Sequence, residues 1–405
     1  MFRIISLVVL LSAPLPGQIA IRAAQLFTMT GDLRPVANAI VLCGANGKIE
    51  AVGPAKETSI PEGYQVLDAA VVTPGLIDAR GTVGLSGILN SPKHDQEQLD
   101  KSGPIQPELR AIDAYNGRDP LVKWLRELGV TTVQTGHAPG SLMSGQLMVV
   151  KTNVRSITSL SDPLVSTSAV ACSLGAKALG KSPGTRGKAI AMLRAEFLKA
   201  KAHAAKVAKA EKEEKDPPVA DLRMQSLLDV LSQKAPLLVN AQRHQDIAAA
   251  LRLQEEFGFK LILDGAAEAY LLFDEIKKSG VPVIVHPTMA RPFDDLENMT
   301  FTMAARLHQA GIPFAFQSGY EGYVPKTRVV HFEAAYAAAY GLPKEAALAA
   351  CTVNAAKILG LEDRIGSLEK GKDADLALFD GDPLETTTHT IGVVIDGKVV
   401  SAKRK

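Results

Sequence analysis

No two of the eight histidines in this chain stand two residues apart. Paired imidazoles on one strand face, the simplest way to begin a metal site, are therefore missing, because strand side chains alternate with a period of two. The histidines at promising positions are His137 and His286, each at the end of an apolar run. There they serve either as a metal or acid–base pair or as caps of loop backbone. His94, His203, His244, His308, His331 and His389 fall in expected loops and helices, mostly as surface residues. Lys151 is either a carboxylated, metal-bridging lysine or an ion-paired one. Ser141-Leu-Met-Ser144 has no Gly-x-Ser-x-Gly elbow around it, and no Gly-rich phosphate loop follows a strand. Cys43, Cys172 and Cys351 are too few and too scattered for a disulfide framework and read as small buried groups.

The elements that must position these groups fall into three stretches. Residues 18–72 and 366–405 read as short strands between turn signals such as Gly44-Ala-Asn-Gly-Lys48 and Asp396-Gly-Lys398. They predict a small β-sandwich built from both termini. Between them, residues 73–365 alternate apolar runs with helical periods, the pattern of parallel βα units. Candidate strands are 76–82, 130–135, 147–152, 168–174, 237–242, 261–264, 281–286 and 313–318. That is the number a (β/α)8 barrel of the TIM type needs, with its chemistry at the C-terminal strand ends. A long helix from Lys188 to about Lys215 carries a lysine-rich face. Interleaved Glu211, Glu213 and Glu214 make that face a solvated one, and Asp216-Pro-Pro218 stops it.

The segment Thr73-Pro-Gly-Leu-Ile-Asp-Ala-Arg-Gly-Thr-Val83 resembles the stretch that opens the catalytic barrel of the amidohydrolase superfamily, Pro-Gly-x-Ile-Asp-x-His-x-His. Gly129-Val-Thr-Thr-Val133 resembles its second strand. Gly145-Gln146 with Lys151, and Thr185-Arg186 with Leu193-Arg194, resemble an often exported bacterial branch near imidazolonepropionase. Leu359-Gly-Leu-Glu-Asp-Arg-Ile-Gly-Ser-Leu-Glu-Lys-Gly-Lys-Asp-Ala-Asp-Leu376 resembles the family's return from its last helix. The resemblance implies a distorted TIM barrel with a terminal β-sandwich, and hydrolysis of non-peptide carbon–nitrogen bonds. It also implies zinc or another divalent metal that activates a water.

The family's ligand positions depart from that pattern. Arg80 and Thr82 stand where the first histidine pair belongs, and a guanidinium has no lone pair to give a metal. Asn240 and Gln242 stand at the strand-five positions, Gly265 at the strand-six histidine, and Ser318 or Gly319 at the strand-eight aspartate. Ala176 occupies the place of a glutamate near strand four. Neutral amides, glycine and threonine do not hold a divalent cation. No cofactor is expected. Arg80 is expected to point inward in the cation's place, donating to Asn240 and Gln242, with Asp78, Asp264 or Glu321 as its carboxylate partner. The function expected is that of a non-catalytic pseudoenzyme, either a partner subunit or a small-molecule binder. The competing reading is hydrolysis of a small amide, lactam or peptide-derived substrate at a relocated site built on His137 and His286.

Residues 1–17 read as a signal peptide. Arg3 is followed by an apolar core from Ile4 to Leu11, too short for a bilayer span, and the competing reading is a buried first strand. An exported chain, periplasmic or secreted, is expected, with no membrane span after signal removal. The formal charge of +2 and the absence of a basic, aromatic-studded stripe give nucleic acid no purchase. The expected assembly is a homo-oligomer, or a hetero-oligomer with an intact amidohydrolase paralogue.

Overall fold

The computed structural model describes residues 18–87, 96–153, 162–319 and 329–405. The leader expected over residues 1–17, His94 and Glu321 lie outside them. The two ends of the chain combine into one seven-stranded sheet. Its strands are β1 (Ile19–Leu26), β2 (Val36–Cys43), β3 (Ile49–Pro54) and β4 (Gln65–Pro74), followed much later by β13 (Leu376–Phe379), β14 (Thr390–Ile395) and β15 (Lys398–Ser401), in the order β15-β14-β13-β4-β1-β2-β3. Asp396 and Gly397 form the two-residue turn between β14 and β15 with φ of +50° and +70°. Positive φ at both central residues matches the right-handed twist of the flanking strands. Ile21, Val41, Val72, Leu376 and Val394 pack together on one face of this sheet.

Between the halves of that sheet lies an eight-stranded barrel: β5 (Leu76–Gly81), β6 (Val130–Gly136), β7 (Met143–Lys151), β8 (Val165–Ser173), β9 (Leu237–Ala241), β10 (Leu261–Gly265), β11 (Val283–Val285) and β12 (Phe314–Ala315). Only Gly75 separates β4 from β5. The strands are ordered consecutively. The seam closes where Ala79 N–H donates to the Phe316 carbonyl at 3.2 Å and Gly319 N–H to that of Arg80 at 3.1 Å. Each expected strand position holds a strand, but not every direction is as expected. β7 runs antiparallel to both β6 and β8. Only residues 137–142 join β6 to β7, and a parallel crossover needs a dozen residues or more. This hairpin is the barrel's distortion.

Ile77, Ala79, Leu147, Val149, Ala171, Leu238, Ile262, Ile284 and Ala315 fill the lower interior, and Ala355, Ala356, Leu361 and Ile365 plug it from below. The alternation that turns Leu238, Ile262, Ile284 and Ala315 inward also turns Asn240, Asp264, His286 and Gln317 inward one layer higher. A polar layer therefore sits on an apolar one, at the mouth. The long helix runs Arg186–Lys212, its first turn capped by the Thr185 side chain accepting from Lys188 N–H at 3.3 Å. Two of its lysines pair with glutamates of the same segment, Lys199 with Glu196 at 2.6 Å and Lys209 with Glu213 at 3.8 Å.

Lys151 joins the barrel to the terminal sheet. Its ammonium is buried against Asp373 at 2.8 Å, Asp375 at 2.9 Å and Asp396 at 2.5 Å, all from the C-terminal segment. Lys48 and Arg364 also reach Asp373. With those cations around it, the Asp373 carboxyl is held down at about 2 although burial opposes this, whereas burial dominates at Asp375 and pushes it up. Lys151 is thus an ion-paired strut. The three cysteines are free and buried. Among the described residues no helix is long and apolar enough to cross a membrane.

Candidate functional site

The mouth of the barrel holds a cavity of about 490 Å³, within the range of roughly 300–1,000 Å³ usual for small-molecule sites. Arg80, Thr82, Asn240, Gln242, Asp264, Gly265 and Gly319 all line it, as does His286. Ser318 does not. It faces the seam, where its N–H donates to Asp78 Oδ1 at 3.0 Å.

Arg80 arrives in the cavity by an irregularity in β5. Ile77 and Ala79 face the barrel interior, so strict alternation would turn Arg80 outward. A register shift against β6 between Asp78 and Gly81 breaks the alternation, and such bulges re-aim side chains. The guanidinium is 3% exposed and lies 3.7 Å from Asp264 Oδ2. It donates to the backbone carbonyls of Gly81, at 3.0 Å, and His137. The expected acceptors, the side-chain carbonyls of Asn240 and Gln242, are engaged differently. Asn240 Nδ2 donates to Asp264 Oδ2 at 3.0 Å, and Gln242 Oε1 accepts from Ala267 N–H at 3.2 Å. Asp264 needs donors more than Arg80 needs amide acceptors, which orients Asn240 toward the carboxylate.

Asp264 is the hub of this layer. Its other oxygen accepts from Gln317 Nε2 at 2.7 Å. Burial pulls the Arg80 pKa down, and Asp264, then Asp78, push it back. Asp78 is fully buried and pushed up to about 6 by that burial, against hydrogen bonds from Ser318 and the Arg80 N–H. Its Oδ1 serves the Arg80 N–H on its own strand and the Ser318 N–H across the seam, which leaves Asp264 as the carboxylate facing the guanidinium.

His137 and His286 do not converge. His286 lines the cavity, but His137 does not. The His137 ring lies against Gly145, where a Cβ would fall 2.5 Å from it. Burial, then Arg80, lower His137 to about 4, and burial alone lowers His286. Both rings are neutral at physiological pH. His331, expected at the surface, is buried against Phe332 and Phe379 and lowered to about 4. It sits in helix Val330–Ala339 on the face turned to the core. Several lining residues went unread in the sequence, Gln317 and Lys177 among them. Gln317 follows from the alternation of Ala315 on β12, whereas likeness to the family's motif pointed to Ser318 or Gly319. Lys177 at the rim lies beside Ala176 in a short helix that carries no periodic signal.

The donor set does not fit a divalent ion. In the polar layer only Asp264 and His286 are ligand types, and both oxygens of Asp264 already accept amide N–H. Among the described residues no group of three or more His, Cys, Asp or Glu is placed to hold a metal ion.

Comparison with known proteins agrees with this geometry at the level of fold and family. The sequence profile of the amidohydrolase family matches residues 263–400. The crystal structure of an amidohydrolase from Thermotoga maritima MSB8 superposes with a TM-score of 0.88 at 30% identity, covering 95% of this chain and 100% of that one. Imidazolonepropionase of Fusobacterium nucleatum is 25% identical over 88% of this chain and 90% of its own length. Amidohydrolase tasK of Hapsidospora irregularis is 27% identical over 86% of this chain, which spans only 38% of that protein.

Proposed function

Since the chain belongs to the amidohydrolase family, with imidazolonepropionases among its relatives, we propose that it keeps the family's barrel and mouth cavity without metal-dependent hydrolysis, and binds a small molecule there uncleaved. The observation that carries this reading is the Arg80–Asp264 pair, a fixed cation buried in the polar layer where a metal would have to sit. A guanidinium there repels a divalent ion and cannot ligate it. The cavity beside it stays open and lined by amides.

Hydrolysis by a relocated site finds less support. His286 faces the cavity alone, while His137 is turned against Gly145. A role as partner subunit, in a homo-oligomer or with an intact paralogue, and export to the periplasm or medium belong to the same proposal. Both rest on the sequence.

The test is metal analysis by mass spectrometry on protein purified without an affinity tag, alongside a panel of small amides, lactams and dipeptides. We expect substoichiometric zinc, iron and manganese, and no turnover above buffer. Near one equivalent of metal that survives mild chelation, or metal-dependent turnover, overturns the proposal.

A further inference from the structure

Among the described residues, the cations Arg80, Lys101 and Lys177 line the cavity beside one carboxylate, Asp264. Arg80 answers Asp264 on the floor, so the surplus positive charge lies at the mouth, where Lys101 and Lys177 are exposed. A cleft lined by one sign of charge concentrates ligands of the other. Between mouth and floor the wall is apolar, with Leu99, Pro139 and Phe293.

The floor also offers one acceptor of fixed sense. His286 Nδ1 lies 3.0 Å from the Pro287 carbonyl. A carbonyl only accepts, so Nδ1 carries the proton and the neutral ring presents Nε2 as a bare acceptor. That atom is buried and has no partner among the described residues. An orphaned buried acceptor costs about 1–3 kcal/mol and calls for a donor.

We propose that this cavity, on the reading that it is metal-free, takes a small organic monocarboxylate with an apolar body and one O–H or N–H donor. The carboxylate meets Lys101 and Lys177, the apolar body lies along Phe293 and Pro139, and the donor reaches His286 Nε2. A phosphate fits less well, since at neutral pH it presents mainly acceptors to Nε2 and nothing to the apolar wall. A second negative charge would also be held near Asp264.

Isothermal titration calorimetry on the full chain tests this with mandelate and indole-3-lactate as probes. The controls are their primary amides, phenylacetate, which lacks the hydroxyl, and inorganic phosphate. The expected result is binding of both hydroxy acids that weakens with salt, weaker binding of phenylacetate, and none of the amides or phosphate. Lys101→Gln and Lys177→Gln each weaken the hydroxy acids by roughly two- to five-fold, within what loss of an exposed charge pair gives. His286→Phe reduces mandelate to the level of phenylacetate. Amides that bind as tightly as acids, phosphate that binds in preference, or no binding at millimolar probe overturns the inference. Metal content of the same batch separates the two conclusions. A stoichiometric metal overturns the metal-free reading, whereas no binding to metal-free protein overturns only the ligand class.

Discussion

Replacing Arg80 by methionine keeps an apolar stem in the barrel and removes the cation. Three partners lose it: the Asp264 carboxylate at 3.7 Å and the carbonyls of Gly81 and His137. Arg80 and Asp264 are 3% and 1% exposed, so solvent does not replace what is lost. Breaking a buried pair from one side costs about 3–5 kcal/mol. The lower end is expected here, because Asn240 and Gln317 keep donating to Asp264. Asp264→Asn alone strands the guanidinium and should cost a similar amount. The double variant carries neither charge. What remains is the pair of unmet carbonyls, at about 1 kcal/mol each.

The double-mutant cycle should therefore show a coupling of about 2–4 kcal/mol. That agrees with a Coulomb attraction of roughly 4 kcal/mol for unit charges at this separation in an effective dielectric near 20. Urea unfolding of the four proteins reads it, followed by the fluorescence of Trp124, the sole tryptophan, and by circular dichroism. Coincidence of the two probes tests for a single transition. A coupling below about 0.5 kcal/mol would refute the reasoning, because distant and independent sites show that much.

Two further predictions concern the scaffold. Lys151→Met leaves Asp375 and Asp396 without the ammonium that both now share, while Asp373 retains Lys48 and Arg364. It should cost about 3–5 kcal/mol in urea unfolding, and a loss under about 1 kcal/mol would show that the strut carries little. His331 and His137 are both lowered to about 4 by burial, against about 6.5 in an unfolded chain. The unfolded state then takes up protons first as pH falls, so stability is lost between about 6.5 and 4, by roughly 3 kcal/mol per histidine. His331→Phe should flatten the fall in melting temperature over that window. A variant with the wild-type slope would sink the assignment.

Much of the fold was legible because barrel strands are short apolar runs bounded by helices, a local pattern. The direction of β7 was not read, for a specific reason. Starting the third strand at residue 147 leaves residues 136–146 as the connection, close to the dozen a parallel crossover needs. The strand begins at Met143, and the true gap of residues 137–142 admits only a hairpin. At the site, the residue identities were legible and their pairings were not. The Arg80 acceptors are two backbone carbonyls, which every residue carries and no sequence pattern marks. Its turn into the cavity depends on a register shift that alternation alone would contradict.

That dependence on backbone bears on how deeply the site differs from a metal centre. Gly265 sits at the strand-six ligand position with φ of +87°, a conformation L side chains rarely adopt. A Cβ there would fall 2.1 Å from Gln242 Nε2, so any side chain at 265 must displace the Gln242 amide. That amide is in turn held by Ala267 N–H at 3.2 Å. Gly319 has φ of +70°, and a Cβ there would lie 2.6 Å from Pro287 Cγ, beside the strand-eight position. A side chain at Gly265 is therefore strained by conformation, and one at Gly319, one of the two candidates for the strand-eight position, by conformation and by contact with Pro287 together. On the proposed reading, histidines placed at Arg80 and Thr82 would face neutral amides at 240 and 242 and a backbone that strains any side chain at 265. The metal-free reading proposed above thus draws on the chain path at 265 as well as on the side chains.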